Sequence, residues 1–332
     1  ENARVNANAG NDMVIGNDAD NVLRGGRGAD VLDGGAGDDI FDVSSTDRGN
    51  DQIQGGPGTD TIRATEDGTA IGLTGNFGPQ NSIEKISNDG HDNVVVNGSF
   101  GGNTLDFSET ELDEGVTVNG RHGDDRIVGN DGDNTLRGGE GDDTLLGGAG
   151  DDTFLVDRFD RGFDSFKGGP GRDVVEAMRG RTEIGIDGDF GPQNSVEAIT
   201  AAGNPDVTVQ GSDDGTTLDF SRTELDGVPV NAGRGDDTVV GNDGDNRIRG
   251  GDGDDTLTGG DGSDTFVFER FDRGEDTITD FDPQADTLEF AGFLRVEDRE
   301  TNGDDLRLDL SNGSSVTLQG LADTDPQDLS IA

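Results

Sequence analysis

Gly138-Gly139-Glu140-Gly141-Asp142-Asp143-Thr144-Leu145-Leu146 is the stretch that decides the fold. The same nine-residue sentence stands earlier as Gly25-Gly26-Arg27-Gly28-Ala29-Asp30-Val31-Leu32-Asp33 and later as Gly250-Gly251-Asp252-Gly253-Asp254-Asp255-Thr256-Leu257-Thr258. Each copy follows the pattern G-G-x-G-x-D-x-U-x, where U is a large apolar residue, and copies sit in tandem. Glycine at slots one, two and four admits positive φ and close backbone passage in a tight turn. Slot eight points inward. Nine residues therefore make half a coil, six in the turn and three in a strand, and successive coils stack about 4.8 Å apart. A core built this way is thin and grows with every coil added.

Working outward, the nonapeptides belong to a longer repeat of about 113 residues. Gly78-Pro79-Gln80-Asn81-Ser82 returns as Gly191-Pro192-Gln193-Asn194-Ser195, and Thr104-Leu105-Asp106-Phe107-Ser108 returns as Thr217-Leu218-Asp219-Phe220-Ser221. Module A spans residues 1–118, with a glycine–aspartate tract over about 7–63 and looser coils over 64–118. Module B spans 119–230, with its tract over about 120–176 and looser coils over 177–230. A partial module C covers 231–280, and 281–332 reads as a C-terminal cap, because terminal repeats of a solenoid must cover an exposed core layer.

Ile127, Leu136, Leu145 and Phe154 keep a beat of nine, which loosens to about eleven through Ile186, Val196, Val207 and Leu218. This gives about eleven half-coils per module. An odd number would set successive tracts on opposite faces of a two-sided roll. Glycine at this density costs a helix about 1 kcal/mol per residue. The expected fold is all-β, a right-handed parallel β-roll or β-helix solenoid with a C-terminal β cap.

Composition alone points to disorder: 28% of the residues are apolar and 5% aromatic, too few to offset chain entropy in an ordinary core. The fixed register of Asp and Gly against Val, Ile, Leu and Phe overturns that reading. A net charge of −48, from 72 acidic and 24 basic residues, excludes nucleic acid and anionic membrane surfaces as partners. It calls for cations. Halophilic solvation is a second source of such charge, but it predicts scattered acids, and here many lock to slot six. There is no cysteine, hence no disulfide. No run of apolar residues suits a membrane span, and Glu1-Asn2-Ala3-Arg4 is neither an initiator nor a signal peptide, so the chain reads as a processed or excised piece.

Stacked coils bring slot-six carboxylates into register beside turn carbonyls. Hard oxygen donors of this kind suit Ca²⁺. Without a cation, neighbouring carboxylates about 5 Å apart repel by roughly 1 kcal/mol even at water-like dielectric. Folding and calcium binding are therefore expected to be one event. The candidate ligands are Asp12, Asp30, Asp39, Asp51 and Asp60 in module A, and Asp125, Asp143, Asp152, Asp164 and Asp173 in module B. Module C supplies Asp237, Asp255, Asp264 and Asp276. Asn21, Asn134 and Asn246 take slot six in the second nonapeptide of each tract, where the slot-three acids Asp18, Asp131 and Asp243 are the substitute ligands.

At these residues the chain resembles the RTX (repeats-in-toxin) proteins of Gram-negative bacteria. Asp264-Thr265-Phe266-Val267-Phe268 and Gly274-Glu275-Asp276-Thr277-Ile278-Thr279-Asp280-Phe281 look like that family's terminal segment, which implies a secretion signal within 281–332. The resemblance implies multiple Ca²⁺ ions, export of an unfolded chain through type I secretion machinery, and folding outside the cell, at millimolar calcium. No enzyme site is evident. His91 and His122 begin no H-E-x-x-H motif, and no glycine loop ends in the G-K-[ST] of a phosphate site. Val5-Asn6 aligns with Val118-Asn119 and Val230-Asn231, so further modules or a docked subunit are expected ahead of it, and head-to-tail self-association follows. The expected role is a structural protein at the cell surface or beyond, in a surface layer, fibre or adhesive stalk. The rival is the non-catalytic C-terminal region of a secreted protease, lipase or alginate epimerase. A carbohydrate- or ice-binding module is a third reading, for which ice lacks a regular Thr ladder.

Overall fold

Leu23, Phe41, Ile62 and Ile86 are wholly buried and lie one above another, each in the same register of successive parallel strands. This inward column is the slot-eight residue of the repeat. The computed structural model describes residues 2–324 and 329–332, and within them the only helices are two 3₁₀ turns, Pro79–Asn81 and Pro192–Asn194. Each carries the Gly-Pro-Gln-Asn-Ser pentapeptide, whose proline sets the turn and whose serine takes the left-handed conformation. The chain divides into two compact units, Glu1–Val174 and Val175–Ala332.

In the first unit the glycine–aspartate tract of module A is two-sided. One side stacks Arg4–Asn6, Val22–Arg24, Ile40–Val43 and Thr61–Ala64; the other stacks Met13–Asn17, Val31–Gly35 and Gln52–Gln54. Arg4 pairs with Val22 and Val22 with Ile40, an advance of 18 residues per coil, as two nonapeptides require. The next coil advances 21, from Ile40 to Thr61, because a longer loop follows Val43.

The looser segment is built differently from a wider two-sided roll. Ala70–Gly72, Phe77 and Lys85–Ser87 form three sides of one coil; Val95–Asn97, Thr104–Asp106 and Glu111–Leu112 form three sides of the next, with Phe77 bridged to Leu105. Three short sides fill the 25 residues from Ala70 to Val95, which explains the loosened beat. From Arg4 to Leu112 the described residues of module A thus give twelve strands and, at Phe77, one further side held by a single bridge, an odd count as expected but larger than eleven. The oddness shifts the tract. The first side ends at Glu111–Leu112, while the second continues through Thr117–His122, Thr135–Glu140 and Thr153–Val156. The third side, opened by Phe77, continues through Arg126–Val128, Thr144–Leu146 and Ser165–Lys167. Module A's tract occupies sides one and two, and the part of module B's tract in this unit occupies sides two and three.

The second unit repeats the plan. Glu183–Ile186, Thr208–Gly211, Val230–Arg234, Arg247–Asp252, Thr265–Phe268 and Thr287–Phe290 form one side, and Thr217–Asp219, Thr238–Val240, Thr256–Thr258 and Glu275–Ile278 another. Parallel stacking then gives way. Ser315–Leu318 pairs parallel with Glu275–Ile278 but antiparallel with Asp305–Leu310, which pairs antiparallel with Val296–Asn302. Leu308, Val316 and Leu318 are wholly buried in this terminal layer. Residues 325–328 of the segment read from sequence as cap and secretion signal lie outside the described residues.

Candidate metal centres

Every turn of the tracts places its slot-six carboxylate inside. Asp12 and Asp51 are half-buried; the other twelve candidates are at most 7% exposed. Carboxylates at such depth need partners, and the partners form a ladder. Within each tract, Oδ1 of a slot-six aspartate accepts the slot-six N–H of the coil before it. In module A, Asp12 N–H donates to Asp30 (2.8 Å), Asp30 to Asp51 (2.9 Å), Asn21 to Asp39 (2.7 Å) and Asp39 to Asp60 (2.8 Å). Module B runs Asp125 to Asp143 (2.8 Å), Asp143 to Asp164 (3.0 Å), Asn134 to Asp152 (2.8 Å) and Asp152 to Asp173 (2.9 Å). Module C runs Asp237 to Asp255 (2.9 Å), Asp255 to Asp276 (3.1 Å) and Asn246 to Asp264 (2.8 Å). The fourteen sequence-assigned aspartates are all brought together in these two-sided stacks.

The second oxygen is what points to a metal. Oδ2 of Asp12, Asp30, Asp39, Asp60, Asp125, Asp143, Asp152, Asp237, Asp255 and Asp264 is buried with no hydrogen-bond donor among the described residues. A buried carboxylate oxygen left unmatched costs about 1–3 kcal/mol or more. Backbone oxygens converge on the same points. A Cβ at Gly34 would lie 2.3 Å from Asp39 Oδ2 and 2.8 Å from the Gly55 carbonyl; at Gly120 it would lie 2.2 Å from Asp125 Oδ2 and 2.7 Å from the Gly138 carbonyl. Slot-one glycine is therefore required because the two oxygens fill the space a side chain would take. No cluster of three or more His, Cys, Asp or Glu side chains arises among the described residues, so a cation here takes much of its coordination from carbonyls. All-oxygen donor sets of this mixture fit Ca²⁺.

Electrostatics agrees. Desolvation pushes Asp143 and Asp152 up to about 7 and Asp164 and Asp255 up to about 8, with neighbouring carboxylates adding to the rise. Asp125 rises to about 6 for the same first reason. Without a cation these turns hold protons near neutrality, because ionised oxygens cannot be left dry and adjacent.

The slot-three acids Asp18, Asp131 and Asp243 are exposed at the turns and are not drawn into the ladders. The amides beside them take a different part. Asn21, Asn134 and Asn246 are buried, and Asn21 Nδ2 donates to Asp39 Oδ1 at 2.8 Å. The ladders also reach residues outside the nonapeptide pattern: Asn103 N–H donates to Asp125 (2.6 Å), Thr216 N–H to Asp237 (2.7 Å), Asp60 N–H to Glu84 Oε2 (2.6 Å) and Asp264 N–H to Asp286 (2.9 Å). Neutral side chains start the ladders at Asn103 and Thr216. Slot-five acids form a second, outer ladder, running the other way. Asp142 N–H donates to Asp124 Oδ1 (3.1 Å) and Asp254 N–H to Asp236 Oδ1 (2.9 Å). The doubled Asp-Asp in the sequence was the signal for it.

A further buried contact recurs three times. Arg24 forks onto Asp47 (2.9 and 3.0 Å), Arg137 onto Asp160 (2.6 and 3.0 Å), and Arg249 onto Asp272. Each aspartate also accepts a loop N–H three residues back, from Ser44, Asp157 and Glu269. The fork pins the long loop that leads to the last carboxylate of one ladder: Asp51, Asp164 or Asp276.

A family model for nonapeptide repeats falls on these same turns. The family model described as "RTX calcium-binding nonapeptide repeat" matches four times, at residues 6–41, 41–67, 119–154 and 231–266. No curated protein matches significantly. Among solved structures, the extracellular lipase LipA from Serratia marcescens is similar at 22% identity, with a TM-score of 0.33, over 70% of this chain. The chain spans 44% of that lipase's length. No helix among the described residues is long and apolar enough to cross a membrane. With four nonapeptide matches lying on the two-sided parallel coils and their carboxylate ladders, the chain carries RTX calcium-binding repeats that bind multiple Ca²⁺ ions, and it fits an RTX β-roll family.

Proposed function

We propose that this chain is a secreted, non-catalytic structural protein that calcium folds and stiffens outside the cell, as part of a surface layer, extracellular fibre or adhesive stalk. RTX repeats imply secretion and calcium binding; the structural role is the reading added here. The observation that carries it is the row of buried Oδ2 atoms without donors in all three modules. Such a chain is disfavoured as a folded body where calcium is scarce and stabilised where calcium is millimolar, so export precedes folding. The three-sided coils between the tracts lack the glycine–aspartate turns, so metal-bound and metal-free lengths alternate along a module.

Circular dichroism tests the folding claim: β structure at millimolar calcium and coil in chelator at pH 8. Persistent β structure in chelator would defeat it. Electron microscopy of calcium-loaded protein tests the assembly claim, for which ordered sheets or filaments are expected and dispersed monomers are the refuting result.

A further inference from the structure

The pentapeptide Arg158-Phe159-Asp160-Arg161-Gly162 returns unchanged as Arg270-Phe271-Asp272-Arg273-Gly274. Its aspartate is the buried member of the Arg fork described above. Its other side chains point outward. Phe159 is 54% exposed and Phe271 78% exposed. In a chain with three acids for each base, Arg158, Arg161, Arg270 and Arg273 make no ion pair among the described residues, and Arg158 and Arg270 lie over their neighbouring rings at 4.6 and 5.8 Å. The fold does not need this arrangement. Module A keeps the forked aspartate and the glycine in Ser45-Thr46-Asp47-Arg48-Gly49 but carries neither the phenylalanine nor the first arginine.

Each loop borders a cleft completed by a second exposed phenylalanine. In the first unit Phe159 lines a cleft of about 330 Å³ with Phe100, Arg121, His122 and the acids Glu140 and Asp160; Phe100 is 78% exposed, but its ring already stacks on His122 at 5.2 Å and carries Arg121. In the second unit Phe271 lines a cleft of about 460 Å³ with Arg270, Arg273, Phe293 and Arg295, and Phe293 is 97% exposed. Arg295 also pairs with Glu297 at 3.6 Å. Each cleft contains one non-glycine residue held in the left-handed region, Arg121 at φ 87° and Phe293 at φ 67°. Conformations of that kind persist where the surroundings impose them and gather at binding sites.

We propose that the second of these clefts binds a linear anionic glycan, with sugar rings against Phe271 and Phe293 and carboxylate or sulfate groups on Arg270, Arg273 and Arg295. Aromatic faces hold the apolar side of a ring, and guanidinium forks suit planar anions. Size favours a glycan over a second protein. The clefts have the volume of small-ligand sites, whereas a stable protein interface needs about 800 Å² per partner. Three arginines against one glutamate line this cleft, so its local charge is positive within a chain of net charge −48.

The test uses the calcium-loaded chain and hyaluronan oligosaccharides as the carboxylated probe, dextran sulfate as the sulfated one and neutral dextran as control. Binding to at least one anionic probe is expected, weakening as salt is raised. F271A and R270E are expected to weaken it at least tenfold with calcium-dependent circular dichroism unchanged. F293G relieves a left-handed residue, so it should fold at least as well as the parent chain and still bind less. Equal affinity for neutral dextran, or no binding to either anionic probe, overturns the proposal. Self-association lost in F271A, without glycan binding, would assign this cleft to a second copy instead. The readout is glycan binding by dissolved protein, so it stands apart from whether the chain assembles.

Discussion

Asp143 does two jobs that substitution can separate. Its Oδ1 accepts the buried N–H of Asp125 at 2.8 Å, and its Oδ2, buried without a donor, is offered to calcium. Asp143→Asn keeps an oxygen for the N–H and removes the charge. The chain itself shows that an amide fits this slot, since Asn134 is 3% exposed in the same ladder position one half-coil back. Asp143→Ala removes both. The asparagine variant is therefore expected to bind calcium less tightly, with the calcium midpoint of folding raised by about three- to tenfold, while the alanine variant also orphans a buried N–H. That adds about 1–3 kcal/mol of destabilisation at saturating calcium. In chelator the order reverses for asparagine. A carboxyl group that burial raises to about 7 is costly to ionise at pH 8, so its removal should not weaken the calcium-free chain. Calcium titrations followed by circular dichroism, with denaturant unfolding at saturating calcium, read both quantities. An Asp143→Asn chain with an unchanged calcium midpoint would refute the ligand role, and equal denaturant stability of the two variants would refute the hydrogen-bond role.

Acidity should act oppositely on the calcium-free and calcium-loaded chains. Raised carboxyl pKa values, about 7 at Asp152 and about 8 at Asp164 and Asp255, mean that the folded calcium-free chain binds more protons than the unfolded one between about pH 4 and 8. Its stability is present at low pH and is lost as pH rises through 7 to 8, so chelated protein should gain β structure on acidification to about pH 5. The calcium midpoint should rise as pH falls from 8 to 6, because bound protons must be displaced; a pH-independent midpoint would contradict this. Arg137→Lys replaces a fork with a point donor beside nearly buried Asp160 and should lower stability at saturating calcium by about 1–3 kcal/mol, discounted because Arg137 is 23% exposed. An unchanged melting temperature counts against the fork. Gly138→Ala would place a methyl 2.0 Å from Asp143 Oδ2 and should remove a bound calcium, measurable by calorimetric stoichiometry; full stoichiometry would show that the carboxylate can move aside.

The slot-eight column and the slot-six ladder were legible because both depend on a fixed residue at a fixed interval. Leu145 stacks between Ile127 and Phe166, as the beat requires. The looser coils were harder. Phe77 and Phe190 each start a new side through a single bridge, and nothing in a hydrophobic beat distinguishes a long side from two short ones. The partners at the ladder ends were also missed. Glu84 reaches Asp60 across 24 residues and Asn103 reaches Asp125 across 22, intervals that fit no nonapeptide count. The Arg24, Arg137 and Arg249 forks were hidden for a related reason. A basic residue in so acidic a chain reads as charge compensation, and only the burial of its partner shows that it holds a loop.

The sidestep of the tracts has a mechanical meaning. In the first unit, module A's carboxylates frame sides one and two, while module B's frame sides two and three, so one stack of strands runs beneath both. Stripping calcium from either tract slackens that shared stack and lowers the grip of the other on its own ions. The two tracts should then titrate as one transition, and a load on either would be carried by both. Had each module held an even number of positions, every ion would sit along the same two sides, and a single split along them could open the unit from end to end.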